Sequence, residues 1–346
     1  MLADTLLEVD DLAVHFPIQS GWMRRTTGAV RAVDGVSFTI GRGEILGLVG
    51  ESGSGKTTIG RAIMRAYEPT RGTMLFRRDD GDDAGDGGID AGTVDLATVP
   101  RKQLRAIWRE IQMIFQDPFS SLNPRMTLLQ TVGEPLRNYG VGSAAEIRER
   151  AAELLATVGL RPEYLARYPH AFSGGQRQRI VVARALALRP KLIVCDEPTS
   201  ALDVSIQAQV LNLLLDLQAE FHLSYLFISH DLTVVEHLCD RIAVLYAGKL
   251  VELAPRDELF DHTLHPYTEA LLSAAPIPDP RRRRERIVLQ GDVPDPANPP
   301  PGCAFAERCR YAVDHCRTDT PELRELRPGH WVSCHRADEL TLASYR

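Results

Sequence analysis

Residues 44–66 read Glu-Ile-Leu-Gly-Leu-Val-Gly50-Glu51-Ser52-Gly53-Ser54-Gly55-Lys56-Thr57-Thr58-Ile-Gly-Arg-Ala-Ile-Met-Arg-Ala. The apolar run at 44–49 predicts a short buried strand that enters a glycine-rich turn directly. Ile59, Ala62, Ile63 and Ala66 then recur at helical spacing, and Pro69 with Arg71-Gly72 ends that helix. Gly50 to Thr57 matches Gly-x4-Gly-Lys-Ser/Thr, set between strand and helix as its mechanism demands. Gly50, Gly53 and Gly55 let backbone amides close round phosphates, with Ser52, Ser54 and Thr58 in the same cradle. The helix N-terminus adds a favourable dipole, Lys56 reaches the β- and γ-phosphates, and Thr57 offers a hydroxyl to Mg²⁺. These residues predict a nucleotide site.

Outward from that loop, strand and helix patterns alternate. Ile111, Met113 and Phe115 alternate as a strand, and a helical stretch with Pro and Gly interruptions runs from about Met126 to Arg167. Helix 174–188, strand 192–196, helix 204–221, strand 225–229, helix 231–238 and strand 241–247 follow. This order predicts an α/β fold with a mostly parallel sheet covered on both faces. Asp79 to Gly92, rich in Asp and Gly, reads as a solvated, mobile loop insertion. From about His262 the chain changes character, with prolines, an arginine run at Arg281–Arg284 and four cysteines.

The 346 residues are 44% hydrophobic and 25% charged, with a formal net charge of −6. That balance gives no support for a nucleic-acid binder working by bulk attraction. No apolar run approaches the roughly 18 to 20 residues needed to span a bilayer, and Met1–Asp10 lacks the basic start of a signal peptide. The expected location is cytosolic, with any membrane role exercised by docking.

Leu192-Ile-Val-Cys-Asp196-Glu197 is an apolar strand ending in two acids. Asp196 is placed to hold Mg²⁺ and Glu197 to take the proton of an attacking water. Ser173-Gly174-Gly175-Gln176 could be only a helix cap and turn. It also resembles the signature of ABC ATPases, with Phe172 where Leu is commoner. The order is the family's too: phosphate loop, Gln116, signature, Asp196-Glu197, Ser200-Ala-Leu-Asp203, then His230. The match covers about residues 5–255.

The resemblance implies a P-loop NTPase (RecA-like) core with an ABC-type helical subdomain at about 117–185. It also implies a head-to-tail pair, with an identical or paralogous partner, sandwiching two ATP molecules. Ser173 to Gln176 of one chain would face the γ-phosphate held by Lys56 of the other. Gln116 would follow the metal and the attacking water, and Asp203 would line the seam. His230 would contact the γ-phosphate and hold Glu197 in line. The family's adenine-stacking aromatic is not evident; Phe16 or Trp22 could reach across an irregular segment, Gln19 to Gly28.

Gln116-Asp-Pro-Phe-Ser-Ser-Leu-Asn123-Pro124-Arg-Met-Thr127 and His265-Pro266-Tyr267-Thr268 resemble the ATPases of dipeptide and oligopeptide importers, some relatives of which import nickel or glycosides. The implied partners are two transmembrane permeases, contacted through Gln116–Thr127, and an extracytoplasmic binding protein. The implied location is the cytoplasmic face of the membrane. The nucleotide-binding domain is expected at 1–260 and a C-terminal extension at 261–346. A rival reading, a soluble ABC ATPase acting on nucleic acid, lacks the second domain or coiled-coil insertion such proteins carry.

Cys303, Cys309, Cys316 and Cys334 are separated by five, six and seventeen residues. Structural zinc sites usually begin with roughly two to four intervening residues, and disulfides are rare in the cytosol. The spacing is not a common ferredoxin pattern either. The importer resemblance favours a 4Fe-4S cluster of structural role on these four cysteines, with zinc or unligated thiols as alternatives. His335 is a possible substitute ligand.

Overall fold

The computed structural model describes residues 5–20, 25–79, 92–275, 286–343 and 345. Trp22, Arg281–Arg284 and all but the ends of the Asp79–Gly92 insertion lie outside them. The described strands are β1 (Thr5–Ser20), β2 (Arg25–Gly41), β3 (Ile45–Val49), β4 (Arg71–Arg78), β5 (Gly92–Asp95) and β6 (Ile111–Ile114). They continue with β7 (Leu192–Asp196), β8 (Ser224–Ser229), β9 (Arg241–Tyr246), β10 (Lys249–Pro255), β11 (Arg324–Arg327) and β12 (His330–Val332).

The larger sheet has the order β11-β12-β10-β9-β3-β8-β7-β6. The run from β9 to β6 is wholly parallel, as the alternating pattern predicts, and β10, β12 and β11 add antiparallel at one side. The parallel strands are apolar at nearly every position because both faces are covered. On one face Ile45, Val49, Ile193, Cys195, Tyr225 and Phe227 pack against helices Gly174–Leu186 and Val204–Phe221. On the other, Leu46, Leu48, Leu192, Val194, Leu226 and Ile228 meet helix Lys56–Ile63 and a second sheet.

That second sheet, β2-β1-β4-β5, is antiparallel and was not legible in the sequence. Its longest pair carries repeated register shifts, including one between Val9 and Leu12, where Asp11 takes φ 47°. Each shift breaks the two-residue alternation that marks a strand. Of the segment Gln19–Gly28, expected to be irregular, the described residues on either side pair as strands, with Ile18 opposite Gly28 and Gln19 opposite Thr26.

The interrupted helical stretch resolves into helices Leu128–Val132, Glu134–Asn138 and Ala144–Thr157. Thr127 with Gln130, and Ser143 with Glu146, form capping boxes that start two of them. The C-terminal extension joins the body of the molecule. β12 pairs with β10, Phe305 is buried in the main core, and His330 Nε2 lies 2.8 Å from Glu252 Oε1 with both side chains fully enclosed.

Candidate functional site

β3 delivers the chain into the glycine loop and helix Lys56–Ile63 receives it. Two glycines are sterically required. A Cβ on Gly50 (φ 151°) would stand 2.2 Å from the Leu245 carbonyl oxygen, and one on Gly55 (φ 103°) 2.4 Å from that of Ala32. The first intrahelical bond is Ile59 N–H to Gly55 O, at 3.0 Å. The amides of Lys56, Thr57 and Thr58 therefore precede the hydrogen-bond ladder and face the loop's concavity.

Lys56 is buried and donates to Gly50 O at 2.8 Å, Glu51 O at 2.9 Å and Ser54 Oγ at 3.4 Å. Burial lowers its pKa, against the pull of Glu197, Asp196 and Glu51. Thr57 Oγ1 donates to Asp196 Oδ1 at 2.8 Å, so the two oxygens assigned to Mg²⁺ are adjacent. Burial raises the Asp196 pKa, opposed by that hydrogen bond and by Arg61 and Lys56. Two hard oxygen donors beside a phosphate cradle suit Mg²⁺, which is held through one or two protein ligands plus phosphate.

Glu197 follows at the end of β7 with φ 46°. One carboxylate oxygen accepts from Gln116 Nε2 at 2.9 Å, and the other is 3.1 Å from His230 Nδ1. Three residues from the ends of β6, β7 and β8 thus meet above the loop. With Ser52, Gly53, Gly55, Lys56, Thr57 and Thr58 they line an open cleft of about 720 Å³.

Apart from Phe16, the cleft's other wall was missed by sequence reasoning. Val30, Arg31 and Ala32 of β2, Ala247 and Gly248 after β9, and Pro296 of the extension supply it, together with Phe16. Phe16, one of the two aromatics considered for adenine, packs edge-on against Tyr67 at 5.1 Å.

Ser173 to Gln176 and Asp203 do not line this cleft. Ser173 caps helix Gly174–Leu186 in a capping box with Gln176, and Asp203 caps helix Val204–Phe221. A Cβ on Gly175 would stand 2.2 Å from Ile206 Cγ2, so these two helix starts are packed directly together. The cap reading of Ser-Gly-Gly therefore holds within the single chain.

The ABC transporter family profile matches residues 33–200, and the oligopeptide/dipeptide transporter C-terminal region matches 251–316. The chain is 52% identical over 335 residues to the oligopeptide transport ATP-binding protein AppF of Bacillus subtilis, covering 96% of this chain and 97% of that one. It is 51% identical to the probable peptide ABC transporter ATP-binding protein y4tS of Sinorhizobium fredii, over 96% and 90% of the two chains. The chain belongs to the oligopeptide/dipeptide ABC transporter ATP-binding family.

Solved cassettes carry the same fold. The ATP-binding cassette MJ0796, in a dimeric structure described as a post-hydrolysis state with ADP and Pi, aligns with TM-score 0.60 at 28% identity over 72% of this chain and 99% of its own. The cbiO1 protein of Clostridium perfringens aligns with TM-score 0.60 at 26% identity over 74% and 91%. This ABC ATPase has no helix among the described residues long and apolar enough to cross a membrane.

Proposed function

We propose that this ATPase energises the import of di- and oligopeptides from the cytoplasmic face of the membrane. The peptide-transport names of its relatives and the family match of its C-terminal region support that cargo. Residues 1–260 serve as the nucleotide-binding domain, with a helical subdomain at 117–185, and 261–346 as the extension.

The observation that carries the catalytic reading is the chain Gln116–Glu197–His230 poised over Lys56 and the Thr57–Asp196 pair. Lys56 exchanges its loop carbonyls for the β- and γ-phosphates of ATP. Thr57 and Asp196, with Gln116 nearby, would hold Mg²⁺, which when bound would supply charge neutralisation at the phosphates. Glu197 accepts the proton of the attacking water, while Gln116 and His230 hold its carboxylate in line. Phe16 is the described aromatic that meets the adenine.

A second ATPase chain completes the cradle with its own Ser173, Gly174, Gly175 and Gln176. Their position away from the chain's own cleft supports that reading, and Asp203, packed beside them, lies at the seam. ATP binding closes the pair and hydrolysis reopens it. Two permeases receive the motion. Exposed Trp108 and Phe115 line a surface cleft with Tyr67 and Met113 next to Gln116, a docking surface continuous with Gln116–Thr127.

Cys303, Cys309, Cys316 and Cys334 are read as ligands of a structural 4Fe-4S cluster. They line one cavity with Phe305, Ala306, Ala312 and Leu340. Among the described residues no three His, Cys, Asp or Glu side chains are grouped to hold a metal ion, so the cluster reading rests on the family match of the C-terminal region. His335 also borders the cavity.

The test of cargo is ATPase stimulation in the assembled transporter by a panel of binding proteins loaded with dipeptides, longer peptides or a nickel chelate. Stimulation by the nickel complex alone would overturn the peptide reading.

A further inference from the structure

The motif His265-Pro266-Tyr267-Thr268 and the cysteine-bearing loop after it have no place in the mechanism above, yet both reach the phosphate loop. Residue 51 is gripped at three points. Its N–H donates to Tyr267 Oη at 2.8 Å, and its carbonyl accepts from Lys56 Nζ. Its carboxylate takes a two-pronged contact from Arg308, Nη1 to Oε2 at 2.7 Å and Nη2 to Oε1 at 3.1 Å. The last contact spans 257 residues of sequence.

The gripping residues are themselves fixed. Tyr267 is fully enclosed and tilted against Tyr246, with ring centres 4.7 Å apart. Phe305 packs on both rings, at 5.2 and 5.4 Å. Arg308 Nη1 also donates to Tyr246 Oη at 3.3 Å, its guanidinium lies 5.8 Å from that ring's centre, and its side chain is only 8% exposed. A second contact from the extension is independent of these: Pro296 O accepts from Arg31 N–H at 2.9 Å, where both residues line the nucleotide cleft.

We infer that Arg308 and Tyr267 are positioning residues for the phosphate loop, so that the C-terminal extension is a working part of the ATP site. The first loop residue after Gly50 is immobilised from outside, through Glu51. Lys56 and the following amides are then presented to the phosphates from a fixed base, and less ordering is left for ATP to impose. Arginine suits the role because its planar fork matches a carboxylate at both oxygens, which lysine cannot do.

The inference rests on the loop binding ATP, and the experiment separates the two. The full chain is titrated with a fluorescent ATP analogue, and hydrolysis is followed against ATP concentration. The variants are Arg308→Ala, Arg308→Lys, Tyr267→Phe, Glu51→Gln and the Glu51→Gln/Arg308→Ala pair. Arg308→Ala should weaken ATP binding and raise KM about tenfold, the size of one lost charge-assisted hydrogen bond. kcat at saturating ATP should hold within about threefold. Arg308→Lys should fall between, and the pair should bind no more weakly than Arg308→Ala alone.

Loss of a merely structural contact would lower the melting temperature and the active fraction and leave KM unmoved. If Arg308→Ala does not fold, the two conservative variants decide. Wild-type ATP affinity in folded Arg308→Lys and Tyr267→Phe, or additive losses in the pair, would overturn the inference. Absence of ATP binding by the unaltered chain would instead overturn the nucleotide reading itself.

Discussion

Acid should loosen the junction between the extension and the body through one side chain, His265. It is fully enclosed at the start of helix Pro266–Ala274, where its Nδ1 accepts from Tyr267 N–H at 3.0 Å. Burial pushes its pKa down to about 3 from an ordinary 6.5, only partly opposed by a hydrogen bond to the Ser333 backbone. A protonated Nδ1 cannot accept, so the folded chain keeps the ring neutral while the unfolded chain takes up a proton as pH falls below 6.5. The stabilisation is complete well above pH 6.5 and is lost progressively as pH drops toward about 3.

At pH 5 the loss is 1.36 log(1 + 10^1.5), or about 2 kcal/mol, and it is governed by the unfolded pKa because the folded one lies well below. Urea unfolding of the wild type and of His265→Asn, at about pH 7.5 and pH 5, isolates it. Asparagine does not titrate and its carbonyl can cap the same helix. The variant should therefore lose about 2 kcal/mol less than wild type on acidification, other titrating groups cancelling in the difference. Equal losses would refute the buried neutral histidine.

Glu197→Gln keeps the shape of the side chain between Gln116 and His230 but removes its basicity. Turnover should fall by at least about 100-fold while ATP-dependent pairing persists in light scattering; hydrolysis at the normal rate would remove Glu197 from its role. Protein purified without oxygen should be brown and contain iron, whereas colourless protein with stoichiometric zinc would refute the cluster on Cys303, Cys309, Cys316 and Cys334.

The nucleotide loop, the mostly parallel character of the main sheet and the ends of most central helices were legible because strand and helix alternation is written locally. Gly-rich spacing, a strand's apolar run and a helix's period need only neighbours in sequence. Glu197 was legible as an acid closing an apolar strand, but Gln116 and His230 only through a resemblance, since no local pattern says that the ends of β6, β7 and β8 meet. The bulged β1–β2 hairpin escaped because its register shifts erase the period-two signal.

By itself, then, the sequence determined that a phosphate loop joins a strand to a helix, and that acids follow a second strand. Only the tertiary structure decided what surrounds that loop. Val30 and Pro296 come from opposite ends of the chain to wall one cleft, and Glu51 meets Arg308 across 257 residues. Ser173 and Asp203 are turned away from it into helix caps. Such contacts are made by sheet order and packing of side chains, and neither leaves a trace in local spacing.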